Sequence, residues 1–435
     1  MKFKATVPLL GLCCLILLGI PNEAGAWGNT WMGINLGQVV DATHGRSGPF
    51  RYNLALVIDN AGYDSDIYYG FYAEKVPDYM ATGGLNLRVF LPIKKKIVFD
   101  LSEIPQYTFF ARTDNERSWN NAFRGQVHVA LDRVYLQLGA GLATMRDRLS
   151  PELNARIRHR QDDFFGLGLW QVSREVSLAL QYRKSSYRYT ELPAGGEGIR
   201  TALDRDEDFA NFRAYLQQVS RTRYYLDAEY GSYKFKDAAS RGRDARSYGA
   251  YAGVEFLPPA GDLQTRGLQG RINLGWKAFD MRDPLGKDRS SLVGNSTVSL
   301  GVFKATALQG FFVRDFQFSA FSGVTYYFAT TYGGGLAHFF TRRVMLSYDL
   351  AFLRLHYPDL EEAGPEAPDV YRYITHTASI LFRLRRDLQL TLFASLGRRR
   401  SDLAGAVSDR NFVGLSLTYG YVSGANPLLV NPISR

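Results

Sequence analysis

Val134-Tyr135-Leu136-Gln137-Leu138-Gly139-Ala140-Gly141-Leu142 decides the fold. Val134, Leu136, Leu138, Ala140 and Leu142 fall on one face of an extended chain, and Tyr135, Gln137, Gly139 and Gly141 on the other. Side chains of a strand alternate between its two faces, so this period of two marks a strand with oil on one side only. The pattern recurs along the chain. Leu178 and Leu180 alternate with Gln181 and Arg183, and Tyr224, Leu226 and Ala228 with Arg223, Asp227 and Glu229. Leu390 and Leu392 alternate with Gln389 and Thr391, and Val413, Leu415 and Leu417 with Gly414, Ser416 and Thr418.

The connections alternate as well. Short ones centre on Asp132, Ser173-Arg174, Arg221-Thr222, Thr341-Arg342 and Arg386-Asp387. Long polar ones cover 146–156, 189–207, 237–244, 283–293, 358–370 and 400–409. Short turns at one rim and long loops at the other describe an all-β, transmembrane, antiparallel up-and-down barrel with its short turns in the periplasm. About twenty candidate strands can be marked, including ones starting near residues 31 and 66, and the expectation is about sixteen to twenty. Tyrosines gather at strand ends: Tyr68-Tyr69, Tyr72, Tyr187, Tyr189, Tyr224-Tyr225, Tyr326-Tyr327, Tyr371 and Tyr373. An aromatic belt at the lipid boundary predicts that placement. A soluble sandwich, β-helix or propeller would instead cover each apolar face with a second layer and show a repeat or sandwich-like strand length.

Composition agrees. Of 435 residues, 46% are hydrophobic and 14% aromatic, which excludes a disordered chain. Beyond the N-terminus no apolar run is long enough to cross a bilayer as a helix. Lys2 and Lys4 precede an apolar stretch from Val7 to Ile20, and Ala24-Gly25-Ala26 follows. Residues 1–26 therefore read as a secretory signal peptide cleaved after Ala26. Cleavage removes both cysteines, Cys13 and Cys14, and leaves residues 27–435 as a single barrel domain with net charge +9. The expected location is the outer membrane of a Gram-negative cell, in contact with lipid and lipopolysaccharide. The final strand, Phe412 to Val422, resembles the C-terminal signal strand of outer-membrane proteins, followed by a tail at 423–435.

The stretch 370–422 carries a family likeness. It runs from Tyr371-Arg372-Tyr373 through Thr377 to Leu384, the turn Arg386-Asp387 and Leu388 to Leu396, and closes on Asn411 to Tyr419. It resembles the repeated hairpin of the putative β-barrel porin type-2 family, whose members often accompany exopolysaccharide secretion systems. The resemblance implies a channel and no catalytic residues.

A barrel of sixteen or more strands holds an aqueous lumen. Alternation places Arg88, Arg183, Arg223, Asp227, Glu229, Arg271, Lys277, Arg383 and Arg385 on its lining, with cations in excess. Such a lining concentrates anions, and guanidinium binds carboxylate or phosphate as a fork. Pairing of these arginines with acids across the lumen is the competing structural reading. The predicted function is an export conduit for an anionic exopolysaccharide, working with periplasmic export proteins and gated by an inward-folded loop such as 189–207. A general porin preferring small anions, or a barrel housing another protein, is the alternative. An enzyme is not expected, since none of the six histidines sits beside a nucleophile motif and His376 with Ser379 lies on a strand. Neither cofactor, metal site nor nucleic-acid partner is expected.

Overall fold

The structure, a computed structural model, describes residues 40, 43–69, 75–93, 96–148, 152, 155–191, 200, 202–219, 221–257, 267–282, 289–303, 305–320, 324–358, 370–401 and 407–421. The signal peptide, the candidate strand near residue 31 and the tail at 423–435 lie outside these residues.

A short β1 (Gly45–Ser47) pairs with the start of β2 (Phe50–Asp64). The wall continues through β3 (Asp78–Ile93), β4 (Ile97–Phe110), β5 (Ser118–Ala130), β6 (Val134–Asp147), β7 (Ile157–Gln171), β8 (Val176–Glu191), β9 (Arg205–Val219) and β10 (Thr222–Phe235). It is completed by β11 (Ala245–Phe256), β12 (Gly267–Met281), β13 (Arg289–Phe303), β14 (Thr306–Phe318), β15 (Tyr326–Phe339), β16 (Val344–His356), β17 (Val370–Arg383), β18 (Leu388–Ser401) and β19 (Val407–Gly420). Each strand from β2 onward pairs antiparallel with its neighbours in chain order, and β19 pairs with β2. Eighteen strands thus form a closed barrel, in which no backbone edge faces lipid. The candidate strand near 66 is a turn instead. The Asp64 carboxylate accepts the Asp66 N–H at 3.0 Å, and the Asp66 carboxylate accepts the Tyr68 N–H at 3.3 Å, so short aspartates bend the chain there.

The apolar face points outward on every wall strand sampled by the sequence reading. Leu138, Leu226 and Val413 are each more than half exposed, while Arg88, Asp100, Asp227 and Lys277 are buried on the opposite face. Water-soluble proteins show the reverse, and lipid contact is the physical reason for the inversion. Aromatic pairs stand on the outer surface: Tyr63–Tyr79 at 5.3 Å, Tyr107–Trp119 at 5.2 Å and Tyr230–Tyr248 at 5.5 Å. Polar pairs interrupt the apolar surface. Asn121 donates from Nδ2 to Glu103 Oε1 at 3.0 Å, in a region where Leu101 and Phe99 face out beside them, and the Tyr348 hydroxyl lies 2.7 Å from His376 Nδ1.

The tyrosines expected in the belt are mostly elsewhere. Tyr69, Tyr187, Tyr189, Tyr225, Tyr326, Tyr327, Tyr371 and Tyr373 are all buried, Tyr68 is half-buried, and Tyr224 is exposed on the outer face. Tyr72 lies outside the described residues. Tyr225, beside the short turn at Arg221-Thr222, shares the inward face of Arg223 and Asp227; for the other buried tyrosines, which stand toward the long-loop rim, the cause is strand length. Strands of 12 to 16 residues, tilted as barrels require, exceed the apolar band of ~25 Å by several residues. The surplus rises above the lipid at the long-loop rim, and there outward positions turn polar: Arg160 and Asp162 pair at 2.8 Å on the outer side of β7. Aromatic rings at that height are free to turn inward.

Both ends of the wall lie at the short-turn rim, where the His44 ring stacks on the Tyr421 ring at 3.4 Å. At the same rim Val40 packs inside the barrel against Phe90, Val98, Tyr135, Leu167, Leu169 and Ala179.

Candidate functional site

The lumen lining begins with the residues that alternation selected. Arg88 donates from Nε and Nη2 to the two Asp100 oxygens at 2.9 and 2.7 Å. Gln126 donates to the same carboxylate at 2.5 Å, and His128 Nε2 lies 3.4 Å from it. Asp227 takes Arg213 through Nε at 3.0 Å and Nη2 at 2.5 Å, and also accepts from Asn211. Arg223 reaches Glu255 at 2.7 Å. Lys277 sits between Glu229 at 3.0 Å and Asp315 at 3.1 Å. Arg183 lies over the Phe209 ring at 4.7 Å. Arg271 and Arg383 share the inward face of β12 and β17 with Lys277 and Tyr373.

Arg385 is different. It lies in the turn beyond β17, exposed, with Nε 3.1 Å from Asp387. Alternation fails once the chain leaves the strand, so Arg385 belongs to the periplasmic rim and not to the lining. Arg88, Arg213, Arg223 and Lys277 of the lining are thus matched by acids. Partly desolvated charges require a partner, and the strand register supplies one from the adjacent wall.

The outer mouth is the distinctive feature. The β13–β14 ladder stops at Gly294↔Arg314. Arg314 covers the break, donating from Nε to the Leu292 carbonyl at 3.0 Å and from Nη2 to Ser291 Oγ at 3.3 Å. Above this point β14 and β15 stay paired with each other up to Phe318↔Tyr326, and β15 stays laddered to β16 as far as Phe328↔His356, so the hairpin is freed on its β13 side and its tip leans into the lumen. Phe316 stacks on Phe279 at 5.0 Å, and Phe316, Tyr326 and Phe328 cluster with Tyr233, Met281 and Val293 from the inner wall. On the other side Tyr327 meets Tyr357 at 5.4 Å, in a cluster with Tyr69, Leu355, Tyr371 and Tyr373.

The tip then reaches the opposite wall. Ala320 packs with Ile157, Tyr187, Tyr189, Ala202 and Leu203. Arg243, in the β10–β11 loop, donates from Nη2 to the carbonyls of Ser319 at 2.6 Å, Thr325 at 2.8 Å and Val324 at 3.3 Å. Its Nη1 donates to the Ala202 carbonyl at 2.9 Å. From the β6–β7 loop, Glu152 accepts the Ser319 hydroxyl and the Ala320 N–H, both at 2.7 Å. Arg205, paired to Glu207 at 2.8 Å, lies over Tyr187 at 4.7 Å and Phe318 at 5.3 Å. Burial pulls the Arg243 guanidinium down to about 10, which leaves it cationic at neutral pH. A cation and an anion from two loops therefore clamp one hairpin tip across the barrel.

The expected inward loop, 189–207, contributes Ala202 and Leu203 as the surface that receives the tip, and residues 192–199 lie outside the described residues. The crossing element is the β14–β15 hairpin, which alternation did not single out. Arg243 belongs to a visible run with Arg241 and Arg246, whereas nothing in the local pattern marks Glu152.

The fold is similar to OccK2 (OpdF) of Pseudomonas aeruginosa, with 12% identity, a TM-score of 0.50, and coverage of 85% of this chain and 98% of that one. It is also similar to a BenF-like porin of Pseudomonas fluorescens Pf-5, with 11% identity, a TM-score of 0.51, and coverage of 86% and 99%. No curated protein sequence matches the chain. Residues 107–421, most of the wall, match the family described as Putative beta-barrel porin 2. The chain belongs to that family and is a porin-like β-barrel channel of the outer membrane.

Proposed function

We propose that this barrel is a gated conduit that exports an anionic exopolysaccharide with the help of periplasmic export proteins. The observation that supports this reading is the hairpin tip held across the mouth by Arg243 and Glu152. A passage obstructed at rest suits a polymer conduit that opens for its cargo or its partners, and suits a steadily open porin less well. Arginines with an unpaired edge along the lining, such as Arg183 over Phe209, suit an anionic passenger. A general anion-preferring porin is the second reading, favoured by the fold it shares with OccK2 and the BenF-like porin.

Two measurements separate the readings. Purified barrel in a planar bilayer is expected to conduct little until the tip is released, whereas a large, steady, anion-selective current would favour the porin. Deletion of the gene is expected to lower secreted polymer, and an unchanged yield would reject export.

A further inference from the structure

Three guanidinium groups from separate parts of the chain converge at the mouth on one tyrosine. Arg148, just beyond β6, lies over the Tyr69 ring at 5.2 Å, and Arg410 of β19 lies 6.0 Å from the same ring. Arg399 of β18 donates from Nη1 to the Tyr69 carbonyl at 3.0 Å and lies over Tyr373 at 5.1 Å and Tyr371 at 5.5 Å. Arg410 is matched by Asp64, whose Oδ1 accepts from its Nε at 2.9 Å. Arg399 is only 2% exposed. Burial, together with the like charges of Arg399 and Arg410, pulls Arg148 down to about 10.

Tyr69 holds this place under strain. Its φ is +49°, a left-handed conformation that side chains with a Cβ avoid. Its hydroxyl is buried with no hydrogen-bond partner among the described residues. A ring that is strained, buried and left with an idle hydroxyl is poorly matched to its enclosure. Around it stand the guanidinium groups and the rings of Tyr371 and Tyr373; Arg399 covers one face of each ring, and Tyr69 meets Tyr373 edge-on at 6.1 Å. Guanidinium forks bind carboxylate, and aromatic faces receive the C–H side of a sugar ring.

We infer that Tyr69 occupies, from within the chain, a recognition site for a carboxylate-bearing saccharide, with Arg148 and Arg399 as its carboxylate fork and Tyr373 as its stacking platform. The inference rests on the anionic-cargo reading above and names the cargo's chemistry as hexuronate. A ligand must displace Tyr69 before it binds, so apparent affinity is reduced by the fraction of time the tyrosine is in place.

The test uses the full barrel in detergent and isothermal titration with galacturonate, galactose and inorganic phosphate. Each variant is first checked as folded by its heat-modifiable migration on a gel. Y69G is expected to bind galacturonate about tenfold tighter than the native protein, because the internal occupant is gone and glycine accepts the positive φ. R148Q and R399Q, each combined with Y69G, are expected to lose that gain, and galactose is expected to bind at least tenfold more weakly than galacturonate. Equal binding of galactose and galacturonate, phosphate binding as tight as galacturonate, or a Y69G variant no tighter than native, overturns the site. Polymer yield in the deletion strain reports separately on export, so a barrel that binds galacturonate while yield is unchanged keeps the site and loses the export reading.

Discussion

Arg243 and Ser319, 76 residues apart in the chain, meet at 2.6 Å across the mouth, guanidinium to carbonyl oxygen. Hydrogen bonds from a charged donor contribute about 1.5–3 kcal/mol each when the site is dry. Replacing Arg243 by Ala removes its bonds to Ser319, Val324 and Thr325 at once. The expected result is a shift of ~2 kcal/mol toward the released tip, or about thirtyfold in open population, read as channel opening in a planar bilayer. Conductance identical to the native protein would show that Arg243 does not hold the mouth shut.

Glu152 grips the same tip from another loop. E152Q keeps one acceptor and loses the other, so it is expected to open the channel less than Arg243→Ala. Because both residues act on one body, the double variant should fall short of the sum of the singles by roughly 0.5 kcal/mol or more. Strict additivity in open probability would mean that the two contacts report on different motions.

Lys277 is buried between Glu229 and Asp315. Lys277→Met leaves two carboxylates facing each other in the wall and is expected to destabilise the barrel by about 3–5 kcal/mol. Adding D315N to it is expected to recover part of that loss. The check is urea unfolding of the barrel in lipid vesicles.

Glu103 faces lipid with Asn121 as its partner. Glu103→Leu is expected to stabilise the folded barrel by roughly 1–2 kcal/mol, since acids on the lipid face carry a depth-dependent penalty. The converse, Leu138→Arg on an outward position, is expected to destabilise by about 2–4 kcal/mol. The same vesicle titration measures both, and a destabilised Glu103→Leu would show that this pair has work to do beyond facing lipid.

The wall was legible in the sequence because one rule governs it. Leu136, Leu138 and Leu142 must meet hydrocarbon, and the period of two then assigns Gln137, Arg183 and Lys277 to the other side without knowledge of any neighbour. The rule ends where lipid ends. Above the belt a tyrosine is equally at home outside or inside; Tyr187 and Tyr373 share the parity of Arg183 and Arg383 and turn inward with them, a sign that the expectation of an aromatic belt overrode. Pairing was hidden for another reason: Arg88 meets Asp100 only through the β3–β4 register, which places Phe90 opposite Asp100 and Arg88 opposite Ser102. The inward hairpin was hidden most completely. It depends on a ladder that stops at Arg314, and the residues beyond it, Phe316 and Phe318, alternate much as wall residues do.

The meeting of β19 with β2 completes the ring. Val40, the β14–β15 tip and the Tyr69 turn all sit within the ring that those two strands complete. Register shifts flank β2 on both sides, at Leu415/Leu417 in the seam and at Asp59/Gly62 against β3. Arg410 rides on β19, so the strand that completes the cylinder also sets a cation at its mouth.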